Sequence, residues 1–227
     1  MDKLKMKKNK QKVALFYNAQ PKYGGWVSFT IHLYRALKEC GVEPFLFKIG
    51  NTSSTARHFG DGVYYQNISP ENAKELPNSF SKIITATDKH HIDVTCVLLR
   101  SGSKLVIHDP TEMKGELMDF LRENSIKPIA DRLPNIHNLK AIGISSHYIK
   151  HPYVRFNREL PVKTKLAAAT SRIDFDKHTD IIVEANKTLE EKVKIWGALN
   201  GMYAYFKLDK IQPKWREDYY GAFGNRY

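Results

Sequence analysis

The chain has 227 residues, of which 42% are hydrophobic, 26% charged and 11% aromatic. That is enough apolar material for a sizeable core, and it excludes a disordered chain, whose mark is low hydrophobicity with excess charge. Thirty-six Lys and Arg against 24 Asp and Glu leave a net charge of +12.

Neither Val13–Tyr17 nor Val94–Leu99, the most apolar runs, approaches the ~20 residues of a membrane-spanning helix. The basic start is followed by too short an apolar run for a signal peptide. Cys40 and Cys96 are too few for a disulfide scaffold and lack metal-ligand spacing. These features predict a soluble, cytoplasmic globular protein.

Residues 1–12 hold six lysines and one aspartate, a basic tail expected to be disordered, and the body keeps +7. Such a field concentrates anionic partners: nucleotides, nucleic acid or an acidic membrane surface.

In chain order, Val13–Tyr17 reads as a strand and the stretch from Asn18 to Gly25 as a loop. Trp26, Phe29, Leu33, Ala36, Leu37 and Cys40 then recur at helical spacing, with Gly41 placed to end the helix. Phe45–Ile49 is the next strand, giving a βαβ unit and hence a parallel sheet. Ser81–Ala86 reads as a strand, and His91–Leu99 as a buried helix or strand that periodicity does not separate. Lys104–His108 is a strand running into Asp109-Pro110, Gly115–Glu123 an amphipathic helix, and Ala141–Ser145 another strand with a helix after it.

Pro152–Pro161 is basic and irregular, a linker by composition. Beyond it come strand Lys165–Ala169, helix Asp176–Leu189, strand Lys192–Gly197 and helix Gly201–Leu208. The helix at 176–189 is expected to turn Ile181, Ile182, Ala185 and Leu189 inward. The whole reads as an α/β chain: a Rossmann-like parallel-sheet domain over 13–155, then an incomplete second Rossmann-like domain over 162–227.

Two segments suggest chemistry. Gly24 and Gly25 stand between a strand and a helix, where glycine allows close backbone approach and the helix amides favour an anion. A tight turn that simply needs glycine fits them equally well. In the second, Arg172 ends a predicted strand and Lys177 falls in the first turn of the next helix, with Asp176 as N-cap. A lysine there opposes the helix dipole by a few tenths to ~1 kcal/mol, unless an anion is bound. Arg172 supplies a rigid fork and Lys177 a point charge, together a pyrophosphate cradle. Neutralisation by Asp174, Asp176 and Asp180 on a solvated surface is the competing explanation.

His90-His91, beside Asp88 and Asp93, fits no metal geometry because adjacent side chains point apart; it reads as a loop or helix start. The aromatic and basic stretches around Met202–Leu208 and Trp215–Phe223 read as core or interface, with base stacking as the alternative.

The R-x4-K pair Arg172 and Lys177, opening a second α/β domain, resembles the donor-binding segment of retaining glycosyltransferases of the GT-B fold (group 1, family 4-like). Gly24-Gly25 before a long helix resembles that family's N-terminal glycine loop. Val106–Pro110 resembles the strand end that places a histidine in the interdomain cleft, Ala141–Ser145 the strand near the end of the first domain, and Val193–Gly197 the strand after the R-x4-K helix.

The resemblance implies a glycosyltransferase moving a sugar from a nucleotide donor, a uridine diphosphate sugar, with retention and without a metal or other cofactor. Arg172 and Lys177 would hold the donor diphosphate, Gly24 and Gly25 would face it from the other wall, and His108, as the catalytic residue, would contact the transferred sugar or the reacting centre. Charge suits an acceptor such as modified DNA bases, as in bacteriophage DNA modification, or an anionic lipid or glycan.

The family's E-x7-E pair is missing: no two of Glu184, Glu190, Glu191 and Glu217 are eight positions apart. A fragment, a split subunit completed by a second chain, and a degenerate relative are the readings this leaves open. So is a non-catalytic α/β module that keeps the anion cradle and docks nucleic acid or another subunit.

Overall fold

The structure is a computed structural model that describes residues 10–17, 25–52, 55–86, 90–109, 112–113, 115–154, 167–171 and 177–197. The chain divides into two compact units between residues 155 and 156.

The first unit is built on an eight-stranded sheet. Its strands are β1 (Lys12–Phe16), β2 (Glu43–Ile49), β3 (Arg57–Gly60), β4 (Val63–Ile68), β5 (Lys82–Ala86), β6 (Lys104–Ile107), β7 (Ile129–Ala130) and β8 (His147–Tyr148). They lie in the order β3-β4-β2-β1-β5-β6-β7-β8, and every pairing is parallel except β3 with β4. The helices are α1 (Gly25–Glu39), α2 (Pro70–Glu75), α3 (Ile92–Arg100), α4 (Glu116–Glu123) and α5 (Leu133–Ala141).

A parallel sheet covered on both faces buries every residue of its central strands, which is why β1 reads as an unbroken apolar run. Val13, Leu15 and Tyr17 pack with Val27 and Ile31 of α1, whereas Ala14 and Phe16 pack with Ala73 of α2 and with Val94 and Leu98 of α3. The ambiguous stretch at 91–99 is therefore a helix, buried along Val94, Thr95, Leu98 and Leu99, with His91 at its N-cap.

No strand forms at Ala141–Ser145. Residues 133–141 are α5, and the apolar run closes that helix: the Gly143 amide donates to the Lys140 carbonyl and the Ile144 amide to Leu139, with Gly143 at φ +79°. This is a Schellman closure, and its accompanying apolar contact is Ile144 against Leu139. Gly41 ends α1 in the same way.

Part of the second unit is described: parallel strands β9 (Ala168–Thr170) and β10 (Lys194–Trp196) joined through α6 (Thr179–Asn186). Asn186 closes the return to β10, its amide donating to the Val193 carbonyl and its oxygen accepting from the Val193 amide, both at 2.9 Å. The buried side of α6 is Thr179, Val183 and Asn186, not the side expected: Ile181 is 62% and Leu189 43% exposed. Strand residues 165–166 and the helix at 201–208 lie outside the described residues.

Candidate functional site

Register brings the central pair together. Val106 and Ile107 of β6 lie beside Ile129 and Ala130 of β7, so the next residues, His108 and Asp131, leave adjacent strands at their carboxyl ends. His108 Nδ1 is 2.5 Å from Asp131 Oδ2, and both side chains are buried. Arg132 Nη2 lies 2.9 Å from His108 Nε2. A guanidinium has only donors, so Nε2 presents its lone pair and Nδ1 carries the hydrogen that Asp131 accepts.

The backbone of His108 is held as firmly as its ring. Its amide donates to Glu112 Oε2 at 3.0 Å and its carbonyl accepts from Asn135 Nδ2 at 3.1 Å. Glu112 Oε1 in turn accepts from the Trp26 indole at 2.6 Å, tying the start of α1 to the end of β6. Burial pushes the Glu112 carboxyl above the usual range, opposed by hydrogen bonds from the His108 amide, the Trp26 indole and the Asp109 amide. The Trp26 and Phe29 rings flank the imidazole, with centroids 5.0 and 6.0 Å away.

Gly25, the first residue of α1, abuts the same imidazole: a Cβ there would lie 2.8 Å from His108 Nε2. The first turn of this 15-residue helix has no acidic residue, so its free amides keep their full positive character. These groups gather at the carboxyl end of the sheet where β1 has β2 on one side and β5 on the other, the switch point at which open α/β sheets bind ligands.

A second histidine group adjoins the first. His151 follows β8 and stacks edge-on against Phe29 at 5.2 Å, with its centroid 6.2 Å from that of His108. His32 of α1 lies 6.3 Å from His151 and accepts the Val154 amide at Nδ1, 3.1 Å away. Burial, then the neighbouring His151 and Arg35, hold the His32 imidazole below its ordinary pKa, against the pull of Asp61.

Gly25 and His108, singled out from the sequence, are thus in contact. Gly24, Arg172 and Asp176 lie outside the described residues. Lys177 belongs to the second unit, where it is exposed two residues ahead of α6 and does not sit in the helix's first turn; His178, in the left-handed region at φ +51°, is the N-cap. Asp131, Arg132 and Glu112 did not stand out in the sequence. The available signal was the pair Asp131-Arg132 directly after the short apolar run Pro128–Ala130. Among the described residues no three His, Cys, Asp or Glu cluster as metal ligands, and no helix is long and apolar enough to cross a membrane.

No family model and no curated protein sequence matches the chain. Solved structures do. An alpha-glucosyltransferase in complex with UDP-glucose and DNA containing an abasic site superposes with a TM-score of 0.61 at 11% identity, over 89% of this chain and 61% of that one. HepE from Anabaena, in complex with UDP, gives a TM-score of 0.61 at 11% identity, over 95% of this chain and 70% of that one. The chain has the fold of the GT-B glycosyltransferases. It spans about three fifths of the length of the glucosyltransferase.

Proposed function

We propose that the protein transfers a sugar from a nucleotide diphosphate donor, with retention of configuration at the anomeric carbon. In this reading the bond from that carbon to the diphosphate breaks, a bond to an acceptor oxygen forms, and the acceptor's proton leaves with the diphosphate. Arg172 and Lys177 neutralise the charge that develops on the leaving group, and the amides of Gly24 and Gly25 face it from the first unit. No metal is required, since cationic side chains and helix amides take its role. A uridine diphosphate sugar is the proposed donor, in keeping with the UDP-bound proteins that share the fold.

The observation that supports the reading most is the packing of Gly25 against His108 at the sheet's switch point. His108 is the proposed contact to the transferred sugar. Because Arg132 occupies Nε2, that contact requires the guanidinium to move aside. The test is UDP release from UDP-glucose by the purified chain. His108→Ala should lower release roughly a hundredfold with UDP binding intact, in the range of a positioned polar group. Release unaffected by His108→Ala would count against the assignment.

The full engagement of both His108 ring nitrogens favours a second reading, a binding module that retains the anion cradle without catalysis. Tight UDP binding with no release or transfer would support it.

A further inference from the structure

Charge is unevenly distributed across the sheet of the first unit. From Asn124 to Val154, the segment that builds β7, α5 and β8, there are four Lys or Arg and three His against a single acid. That acid is Asp131, whose side chain is 2% exposed and bound to His108. Lys127, Arg132, Lys140 and Lys150 are all exposed, so no exposed carboxylate of this segment neutralises them. The opposite edge, Thr55 to Phe80, carries three acids and two bases. The asymmetry therefore does not follow from a uniformly basic surface.

The same edge is aromatic and, among the described residues, uncovered. β8 is the outermost strand, and the amides of His147 and Ile149 donate inward to the Pro128 and Ala130 carbonyls. By strand alternation the amides of Tyr148 and Lys150 turn to the open side. Tyr148 is 44% exposed; Tyr153, past β8, is 72% exposed with one side of its ring against His32 of α1, centroids 5.1 Å apart. An extended chain rises ~3.3 Å per residue, so His147 to Lys150 covers roughly 10 Å, enough to follow one or two phosphate spacings.

We infer that the β7–α5–β8 edge docks a nucleic-acid strand, with phosphates on Lys127, Arg132, Lys140 and Lys150 and unpaired bases on Tyr148 and Tyr153. Cations tracking a backbone beside exposed aromatic rings are what single-strand binding uses. A lipid surface would call for apolar residues collected on one outward helix face. α5 instead buries Asn135 and Leu139 and intersperses exposed Leu133 with His137 and Lys140, and the exposed Ile142 and Ile149 lie past α5 and past β8 and not on one helix face. The edge leads into the candidate site through His151, whose ring centroid is 6.2 Å from that of His108. Under the proposed glycosyl transfer the docked strand is the acceptor; docking itself does not depend on that reading.

The test is fluorescence anisotropy of the full chain with a labelled single-stranded DNA oligonucleotide across a salt series. Lys140→Glu/Lys150→Glu should weaken binding roughly tenfold at about 0.1 M salt and flatten the logarithmic salt slope by about 1.4. Arg57→Glu, a charge reversal on the opposite edge, should leave affinity within about twofold. Tyr153→Ala should cost at least roughly fivefold, the scale of one stacked base. Equal losses from the two charge reversals, or no loss from either, would overturn the inference. So would binding to phosphatidylserine vesicles that depends on Lys140 and Lys150 while oligonucleotide binding does not. UDP calorimetry on the same double variant should match the parent chain, so that failure of donor binding is read separately from failure of docking.

Discussion

Gly25 and His108 occupy one space: the position a Cβ would take on the glycine lies 2.8 Å from the imidazole Nε2. The ring cannot yield cheaply, because Asp131 holds one nitrogen and Arg132 the other. The absent side chain at residue 25 is therefore a packing requirement.

Gly25→Ala should destabilise the fold by about 1–3 kcal/mol, the usual cost of overpacking, despite alanine's better helix propensity. Urea unfolding measures it. A neutral or stabilising effect would mean that the imidazole has room to move.

Asp131→Ala should be worse than Asp131→Asn. Alanine leaves the buried Nδ1–H without an acceptor, at a cost of about 1–3 kcal/mol, whereas asparagine still offers an oxygen. Imidazole ¹⁵N chemical shifts should report hydrogen on Nδ1 in the parent chain and in Asp131→Asn, and Arg132, still donating to Nε2, should keep it there in Asp131→Ala. Equal stability of Asp131→Ala and Asp131→Asn in urea unfolding would show that the Nδ1–H does not depend on an acceptor at residue 131.

His32 gives the first unit an acid-sensitive element. Its folded pKa is lowered by burial, with His151 and Arg35 adding to the effect. A depressed histidine contributes stability that is present above its unfolded value of about 6.5 and is lost as pH falls through the folded value. NMR titration should place the His32 midpoint below 6.5, and His32→Gln should flatten the loss of stability on that side. A midpoint at or above 6.5 would contradict this account.

Much of the fold was legible because its central strands and long helices carry strong apolar patterns, as in Val13–Tyr17 and in Trp26 to Cys40. The outer pieces carry weaker signals. Asp61-Gly62, both at positive φ, make the two-residue turn between β3 and β4. Ser69-Pro70 opens α2, with Ser69 Oγ accepting the Asn72 amide. Ala141–Ser145 misled because a Schellman closure and a short buried strand both present a few adjacent apolar residues.

The site was half legible for a similar reason. Gly25 and His108 stood out by residue type at strand and helix ends. Asp131 gains its meaning only from β6–β7 pairing, a non-local contact across 23 residues that spacing does not encode. The exposed Ile181 face of α6 shows the converse, where helical periodicity identified the apolar residues but not which of them are covered.

Calorimetry with UDP tests the central claim most directly, because it asks for the diphosphate cradle without requiring an acceptor. Saturable UDP binding by the parent chain, weakened at least roughly tenfold in both Arg172→Ala and Lys177→Ala, is the expected result, each charge-assisted contact being worth about 1.5–3 kcal/mol. No binding at millimolar UDP, or binding that neither substitution alters, would contradict it.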